Sequence, residues 1–420
     1  MKNFISDSDE KKSAWSFSFN HGSDDQQSVN IVVKDLLEYI YSYSRTEYLS
    51  TPSKTIPEVS SLPFPKCVED AIAPDFLSMD TLKWGLFQLS NQVKNADMLP
   101  ASIIENYRSN PERYLEEYAN PDMRSTFLEY LILTKDEIKS LRLACRAHGV
   151  TISNVLSAAI LSLTSSLFQE NDKGMPMKSK KLRFLLSVGL RPFGISNPNE
   201  EIQSVLSTSL VNSDKKENSY MGRRSTLQSG SNDWTLGTVA CASGAVDFVV
   251  SVPGSIAAQA KEMSQHNHGT KSFAGNIAND VLWKLAEECR DKAKEIIDVN
   301  KYVPESVRLF GFGMKYADIL KIVDMEANNP GTMGRGYSCG VSNVGLVVLP
   351  GPPPDSDVSI RINSAYYGTS HARNGVYCLL SSITIGETFC GCLQFTRPFV
   401  SKEEAKCFRD GLLAILRSLN

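Results

Sequence analysis

Hydrophobic and polar positions along the chain follow two kinds of spacing, and together they predict an α/β protein. Alternation or a short apolar run predicts a strand, whereas recurrence at three and four residues predicts a helix. Strands are predicted at 15–19, 126–133, 182–190, 238–242, 246–252, 340–349, 358–366, 376–385 and 388–395. Helices are predicted at 29–40, 81–93, 101–118, 134–149, 150–168, 277–299 and from 401 onward. The order of these elements favours an α/β architecture with a mixed sheet.

Two of the predicted helices begin with a capping box. Thr134 is followed by Glu137, and Ser401 is followed by Glu404, each at the spacing that lets the two residues cap one another's backbone. The helix at 150–168 carries no charge over nineteen residues. Its serines and its one-sided apolar stripe predict a buried helix of a globular core and not a membrane span.

Composition narrows the class of protein. Of the 420 residues, 42% are hydrophobic and 22% are charged, which is ordinary for a globular chain. A net charge of −3 gives no electrostatic case for nucleic acid as a partner. The nine cysteines form no CxxC pair and no zinc-ligand spacing, and residues 1–12 are polar and unlike a signal peptide. We therefore expect a cytoplasmic monomer without a metal, with association with a membrane surface or lipid droplet left open.

The main chemical candidate lies between the first predicted strand and the first predicted helix. There His21 ends the strand, a polar turn follows, and Asp25 comes four residues later. An imidazole fixed at the end of a strand can act as a general base, because its ordinary pKa is close to neutral. Taken alone, such a histidine is more often an ordinary surface residue.

This stretch resembles the His-His-x-x-x-Asp-Gly motif of the CoA-dependent acyltransferase superfamily, which includes chloramphenicol acetyltransferase, condensation domains and alcohol acetyltransferases. His21 falls on the second, catalytic histidine of the motif, and Asp25 falls on the structural aspartate. Asn20 replaces the first histidine and Gln26 replaces the glycine. By resemblance, Asp25 anchors the turn through an arginine and does not touch substrate.

Two further segments resemble the same superfamily. Residues 187–193 read Ser-Val-Gly-Leu-Arg-Pro-Phe and are similar to its strand-end Leu-Arg-Pro segment, which makes Arg191 the candidate partner of Asp25. Residues 342–345 read Ser-Asn-Val-Gly and are similar to the Ser-Asn-x-Gly element of alcohol acetyltransferases. The resemblance implies that Ser342 or Asn343 holds the oxyanion or lines the substrate channel, while the ordinary alternative for both is packing inside a strand.

The resemblance implies a two-lobed chloramphenicol acetyltransferase-like fold with mixed sheets. Many more residues precede the histidine in that superfamily than the twenty found here, so an incomplete N-terminal lobe at 1–125 and a C-terminal lobe at 126–420 are expected. The implied reaction moves an acyl group, acetyl above all, from acyl-CoA to a small alcohol or amine, with no resident cofactor. Two alternatives stay open: a condensation-like enzyme that uses a carrier-protein thioester, and a non-catalytic or truncated relative that binds a ligand or partner.

Other candidates are weaker on spacing. Residues 336–340 match the Gly-x-Ser-x-Gly elbow of serine hydrolases, but a strand-like run follows them and His371 comes too soon for the usual order. His266 and His268 lack a third metal ligand. His148 lies at the end of a predicted helix, where its charge interacts favourably with the helix dipole, so its position needs no functional explanation. Four basic residues could bind the phosphates of CoA, although their place at the solvent-exposed start of a predicted strand is the more ordinary explanation: Lys178, Lys180, Lys181 and Arg183.

Overall fold

A six-stranded mixed sheet forms the centre of the computed structural model of this chain. The structure describes residues 3–5, 11–14, 16, 26–43, 79, 82–83, 96–114, 116, 124–169, 176–189, 243–265, 279–298, 318–352 and 360–419. The strands are β1 (Asn3–Ile5), β2 (Lys11–Ser13), β3 (Ser125–Leu133), β4 (Lys180–Gly189), β5 (Ser243–Val252), β6 (Arg335–Val347), β7 (Gly375–Ile385) and β8 (Thr388–Arg397). The helices are α1 (Gln26–Tyr43), α2 (Ala101–Ser109), α3 (Pro111–Tyr114), α4 (Lys135–Ala147), α5 (Ile152–Leu167), α6 (Gly254–Gln265), α7 (Asn279–Asp298), α8 (Ile319–Ala327) and α9 (Lys402–Ser418).

The strand order of the large sheet is β3-β8-β7-β6-β4-β5. The pairs β6–β7 and β4–β6 are parallel, and the other three pairs are antiparallel. A tight turn at Gly386, whose φ is +56°, joins β7 to β8, and glycine adopts this backbone region without steric cost. β1 and β2 form a separate antiparallel pair. The mixed sheet expected from the sequence is thus confirmed.

Helix α5 is the central element of the helical layer. It contacts α6, α7, α9 and β6, and all its residues from Asn154 to Ser166 are buried. Burial of three of its serines is tolerated because their hydroxyls donate to the helix backbone: Ser157 to the carbonyl of Ser153, Ser162 to that of Ala158 and Ser166 to that of Leu163. The predicted buried helix is confirmed.

The other face of the sheet is covered in part by a segment without regular structure. We call residues 360–371 the crossing segment. Ile362, Ala365 and Tyr367 of this segment pack against a small core cluster formed by Ile383 and Ile385 of β7 and Cys390 of β8. Tyr41 of α1 donates a hydrogen bond to the carbonyl of Ile360 at 2.7 Å. Helix α1 and the crossing segment are therefore neighbours.

Both predicted capping boxes are present. The hydroxyl of Thr134 accepts a bond from the backbone of Glu137, and the carboxylate of Glu137 accepts one from the backbone of Thr134. Ser401 and Glu404 repeat the arrangement at the start of α9. A further box, between Thr151 and Asn154, opens α5. These contacts need only four consecutive residues, which is why the sequence predicts them.

Several predicted elements differ from the structure. Residues 360–366, the described part of the strand predicted at 358–366, are not a strand, because they cross the sheet face and do not pair with it. The helix predicted at 101–118 is broken at Asn110, just before Pro111. β6 begins at Arg335, five residues before the predicted start, and ends at Val347. Two helices, α6 and α8, were not predicted. Residues 238–242 and most of 15–19 and 81–93 lie outside the described residues, and the division between residues 125 and 126 stays a prediction.

Within the described part of the chain, no single helix has the length and apolarity that a membrane crossing requires. α4 and α5 meet that test only as a pair, and they are bent by 97° at the break between them.

Candidate functional site

The parallel strands β4 and β6 separate toward their carboxyl ends. They are paired only at Phe184–Cys339, Leu185–Gly340 and Leu186–Val341. Beyond these pairs β4 continues beside β5 as far as Gly189, and β6 continues beside β7. The carboxyl ends of parallel strands are where open α/β sheets commonly bind ligands, especially where neighbouring strands diverge. Ser342 and Asn343 follow directly after the last shared pair.

Two glycines shape this part of β6. A Cβ at Gly340 would lie 2.9 Å from the carbonyl oxygen of Leu185, so only glycine allows β4 to come this close. Gly345 has a φ of +84°, and the pairing with β7 is irregular between Asn343 and Leu346. The bulge bends the strand immediately after the Ser342–Asn343 pair.

The side chain of Asn343 lies on the helical side of the sheet. Its amide nitrogen donates to the hydroxyl of Ser153 at 2.9 Å, in the first turn of α5. Its oxygen accepts from the hydroxyl of Ser382 and from the backbone nitrogen of Gly345, each at 3.1 Å. Asn343 therefore joins β6, β7 and α5, and one of its two amide hydrogens is not used by these bonds.

Ser342 lies on the opposite side of the sheet, because neighbouring strand residues point to opposite faces. There the hydroxyl of Tyr367 lies 2.6 Å from the carbonyl oxygen of Ser342 and 3.1 Å from its Oγ. Tyr367 belongs to the crossing segment, which also contacts α1 through Ile360. The two residues of the Ser-Asn pair therefore face different layers, and Ser342 shares its side of the sheet with α1.

The histidine motif and Arg191 are connected to this site by the chain. His21, Asp25 and Arg191 lie outside the described residues. Helix α1 begins at Gln26, directly after Asp25, and packs against β6. Gly189, the last residue of β4, stands two positions before Arg191. Their roles as general base, anchor and anchor partner stay predictions.

The hydrolase-like pattern is part of strand β6 and not an elbow. Ser338 is fully buried, and its hydroxyl donates to the carbonyl of Asp97 at 2.5 Å and accepts from the backbone nitrogen of Arg183 at 2.9 Å. A nucleophilic serine needs an exposed hydroxyl at a turn between a strand and a helix. The buried bonds of Ser338 are incompatible with that role.

The remaining weak candidates have structural explanations where they are described. His148 stacks on the indole of Trp283 with ring centres 4.1 Å apart. Arg183 forms an ion pair with Asp247 and lies over the ring of Tyr337, so its charge is already matched. Lys178 and Lys181 are exposed at the entrance of β4. His266 and His268 lie outside the described residues.

A second buried polar cluster lies at the other end of the sheet, where β6 and β7 begin. Arg335 is fully buried and donates to the carbonyls of His371, Ala372 and Val376. Arg124 donates to the carbonyls of Ala327 and Arg373. Burial, with the nearby charge of Arg335, lowers the pKa of His371 to about 4. These contacts satisfy backbone carbonyls, which indicates a structural cluster that joins several chain segments.

Three buried thiols are poor nucleophiles. Burial raises the pKa of Cys339 and of Cys392 to about 12, and that of Cys145 to about 11. A cysteine reacts as its thiolate, and these groups stay protonated at neutral pH. Covalent catalysis through these three thiols is therefore unfavourable.

The sequence did not point to Tyr367, Ser153 or Ser382. Each is far from its partner in the sequence, and none belongs to a recognisable motif. A serine or a tyrosine carries no local signal that separates a site residue from an ordinary one, whether it lies in a helix, as Ser153 does, or in a strand-rich region, as Tyr367 and Ser382 do.

The chain matches no protein-family model and no curated protein. Among solved structures, it is similar to a trichothecene 15-O-acetyltransferase from Fusarium sporotrichioides, with 11% identity, a TM-score of 0.49, and coverage of 94% of this chain and 64% of the other. An epimerization domain from the third module of tyrocidine synthetase B has 10% identity, a TM-score of 0.44, and coverage of 95% and 68%. A cyclization-docking bidomain from Sorangium cellulosum has 10% identity, a TM-score of 0.45, and coverage of 94% and 57%.

This chain spans less than two thirds of the length of the acetyltransferase and of the cyclization bidomain. All three TM-scores lie below 0.5. Similarity at this level gives no information on activity or substrate.

Proposed function

We propose that this chain is an acyltransferase of the CoA-dependent superfamily that moves an acyl group, acetyl above all, from acyl-CoA to a small alcohol or amine. His21 is the general base, and Asp25 with Arg191 holds the turn that carries it. Ser342 or Asn343 stabilises the oxyanion. No metal or redox group takes part in this reaction.

One observation supports this proposal above the others. Two of the three motifs, at 187–193 and 342–345, are more than 140 residues apart in the sequence. β4 carries the first three residues of the first motif and β6 carries the second motif, and these strands are neighbours, parallel, and paired up to Leu186 and Val341. The residues that follow this pair on each strand are Ser187 and Ser342, the first residues of the two motifs. Two chance matches to short sequence motifs would not be expected to lie side by side at the same end of one sheet.

The chemistry suits this arrangement. Acyl transfer from a thioester to an alcohol requires a base for the hydroxyl proton and donors for the tetrahedral oxyanion. A neutral imidazole meets the first requirement, and a serine hydroxyl or an asparagine amide meets the second. The alcohol oxygen bonds to the carbonyl carbon, the C–S bond breaks, and the base returns the proton to the leaving thiolate. The products are an ester and free CoA, so no other reactant is needed.

The test is thiol release from a panel of acyl-CoAs of rising chain length, each with a panel of small alcohols and amines. A thiol reagent follows the free CoA, and mass spectrometry identifies the acylated acceptor. We expect acceptor-dependent thiol release together with a matching ester or amide. Thiol release without an acceptor would indicate hydrolysis only.

A parallel assay presents the same acyl groups on a pantetheinylated carrier protein. Turnover of the carrier thioester alone would replace acyl-CoA as donor and favour a condensation-like enzyme. Absence of turnover with either donor, in a protein with a cooperative thermal transition, would contradict the proposal and favour a relative that only binds.

A further inference from the structure

We propose that Ser153 is a positioning residue that holds the side-chain amide of Asn343, so that the second amide hydrogen of Asn343 donates to the oxyanion formed from the thioester carbonyl. The inference rests on the proposed acyl transfer. It goes further by choosing Asn343 over Ser342 as the oxyanion donor and by adding a residue of α5 that no motif identifies.

The hydroxyl of Ser342 is already used as a donor. Tyr367 has a single phenol hydrogen, and it is donated to the carbonyl oxygen of Ser342 at 2.6 Å. Burial raises the pKa of Tyr367 to about 12, so the phenol keeps this hydrogen at neutral pH. In the 3.1 Å contact between the two side chains, the Ser342 hydroxyl is therefore the donor and the phenol oxygen the acceptor. That bond leaves Ser342 without a hydrogen for an oxyanion.

Asn343 keeps one donor hydrogen. Its Oδ1 accepts from the backbone nitrogen of Gly345 and from the hydroxyl of Ser382, each at 3.1 Å. Because a backbone N–H can only donate, the contact with Gly345 identifies the oxygen of the amide and places the nitrogen toward Ser153. The nitrogen donates one hydrogen to the Oγ of Ser153 at 2.9 Å. It carries a second hydrogen, which has no acceptor among the described residues.

Ser153 completes the restraint on the amide of Asn343. Two contacts at the oxygen and one at the nitrogen fix the amide plane, so the second hydrogen keeps one direction. An amide whose oxygen accepts two bonds is also a stronger donor at its nitrogen. Ser153 is the second residue of α5, where the positive end of the helix dipole favours nearby negative charge. Without the Ser153 hydroxyl, the amide would be held at its oxygen alone.

A ligand can reach Asn343. The pairing of β4 with β6 ends at Leu186 and Val341, so among the described residues no paired strand closes the sheet on that side of Asn343. Asn343 and Ser153 are both half-buried, whereas Val341 on the same face of β6 is fully buried. A thioester carbonyl that enters between the separating strands can therefore meet the free amide hydrogen.

The experiment compares Ser153→Ala, Asn343→Asp and the double variant with the wild type in the acyl-transfer assay. Asn343→Asp keeps both acceptor contacts of the side-chain oxygen and removes every hydrogen that the side chain could donate. Ser162→Ala is the matched control, because it removes a buried hydroxyl from the same helix that donates to the carbonyl of Ala158. For each protein, kcat, the KM for acyl-CoA, the KM for the acceptor and the melting temperature are measured.

We expect Asn343→Asp to lower kcat by roughly 100-fold or more, the size of a lost oxyanion donor, because a carboxylate offers no hydrogen and repels the developing charge. Ser153→Ala should lower kcat by about tenfold and leave both KM values within about twofold of the wild type, since only the transition-state bond is weakened. The double variant should match Asn343→Asp in kcat, because Ser153 acts through Asn343. Ser162→Ala should keep the wild-type kcat even where its melting temperature falls.

A wild-type kcat in Ser153→Ala would overturn the inference, whatever the melting temperature. A wild-type kcat in Asn343→Asp, or independent, multiplying effects in the double variant, would also overturn it. An equal fall of kcat in Ser162→Ala would assign the loss to a weakened helix and would again overturn it. If Asn343→Asp does not fold, the comparison of Ser153→Ala with Ser162→Ala decides.

Failure of the proposed function is recognised separately from failure of this inference. In that case the wild type itself would turn over neither acyl-CoA nor the carrier thioester, and the inference would fall with it.

Discussion

The side-chain amide of Asn343 donates a hydrogen bond to the hydroxyl of Ser153 at 2.9 Å, and this bond joins the end of β6 to the first turn of α5. The residues are 190 positions apart in the sequence. Asn343 also holds Ser382 on β7 and the backbone of the bulge at Gly345. One side chain therefore connects three elements at the place where β4 and β6 separate.

Replacement of Asn343 should destabilise the fold. Asn343→Ala leaves the polar groups of Ser153, Ser382 and Gly345 without this partner, and we expect a loss of about 1–3 kcal/mol in the free energy of unfolding. Asn343→Asp keeps both acceptor contacts and reverses the third, because the hydroxyl of Ser153 can donate to the new carboxylate oxygen, so it should lose less. Urea unfolding measures both, with the exposed Asn363→Ala as control. Equal stability of Asn343→Ala and the control would show that the bridge contributes nothing.

Local patterns predicted local structure well. The capping boxes at Thr134 and Ser401 and the uncharged buried helix α5 depend on neighbours within a few positions, and all three are confirmed. The strand order, the parallel pairing of β4 with β6 and the bridge from Asn343 to Ser153 depend on residues far apart in the sequence. No spacing within one segment contains that information.

The crossing segment shows how a local pattern can mislead. Half-buried and exposed residues alternate from Ala365 to Ser370, as they do in a strand. The backbone is not paired with a neighbouring strand, and side chains take over part of that role, as Gln394 does for the backbone nitrogen of Thr369. An alternation of half-buried and exposed residues shows only that one side of an extended segment faces the protein. A segment that lies across a sheet without pairing to it produces the same alternation as a strand.

The general base can be tested by removing the imidazole. His21→Ala should lower kcat by roughly 10²–10⁴ and leave the fold intact, because general-base catalysis contributes on this scale. Thiol release measures kcat, and the melting temperature checks the fold. Asn20→Ala, at the neighbouring position where the chain departs from the motif, is the control. Full turnover in His21→Ala would remove this residue from the mechanism.

The proposed anchor can be tested by a double-mutant cycle between Asp25 and Arg191. Asp25→Asn should lose activity together with about 1–3 kcal/mol of stability if the carboxylate is buried and paired. Arg191→Gln should have a similar effect, and the double variant should lose less than the sum of the two. Additive losses would show that the residues do not form a pair. Unchanged stability and activity in Asp25→Asn would show that this carboxylate is solvated.

The buried imidazole of His371 should make the stability of the protein depend on pH. Burial and the charge of Arg335 lower its pKa from 6.5 to about 4, and the backbones of Thr369 and Gln394 oppose part of this shift. Between these pH values the unfolded chain binds a proton that the folded chain does not, so stability rises with pH there. The contribution is complete above about pH 6.5 and is lost progressively as the pH falls toward 4. A shift of this size corresponds to about 3 kcal/mol.

Urea unfolding at several pH values between 4 and 7 measures this dependence, and His371→Gln should make it flatter because the variant lacks the buried imidazole that titrates in this range. The steepest part should fall between pH 4 and 6.5, where the imidazole is protonated in the unfolded chain alone. A ring-proton NMR titration of the folded wild type gives the second measurement, because it reports the pKa of His371 directly and does not require the variant to fold. An imidazole that titrates near pH 6.5 in the folded protein would show that His371 is solvated, and the predicted loss of stability would then be absent.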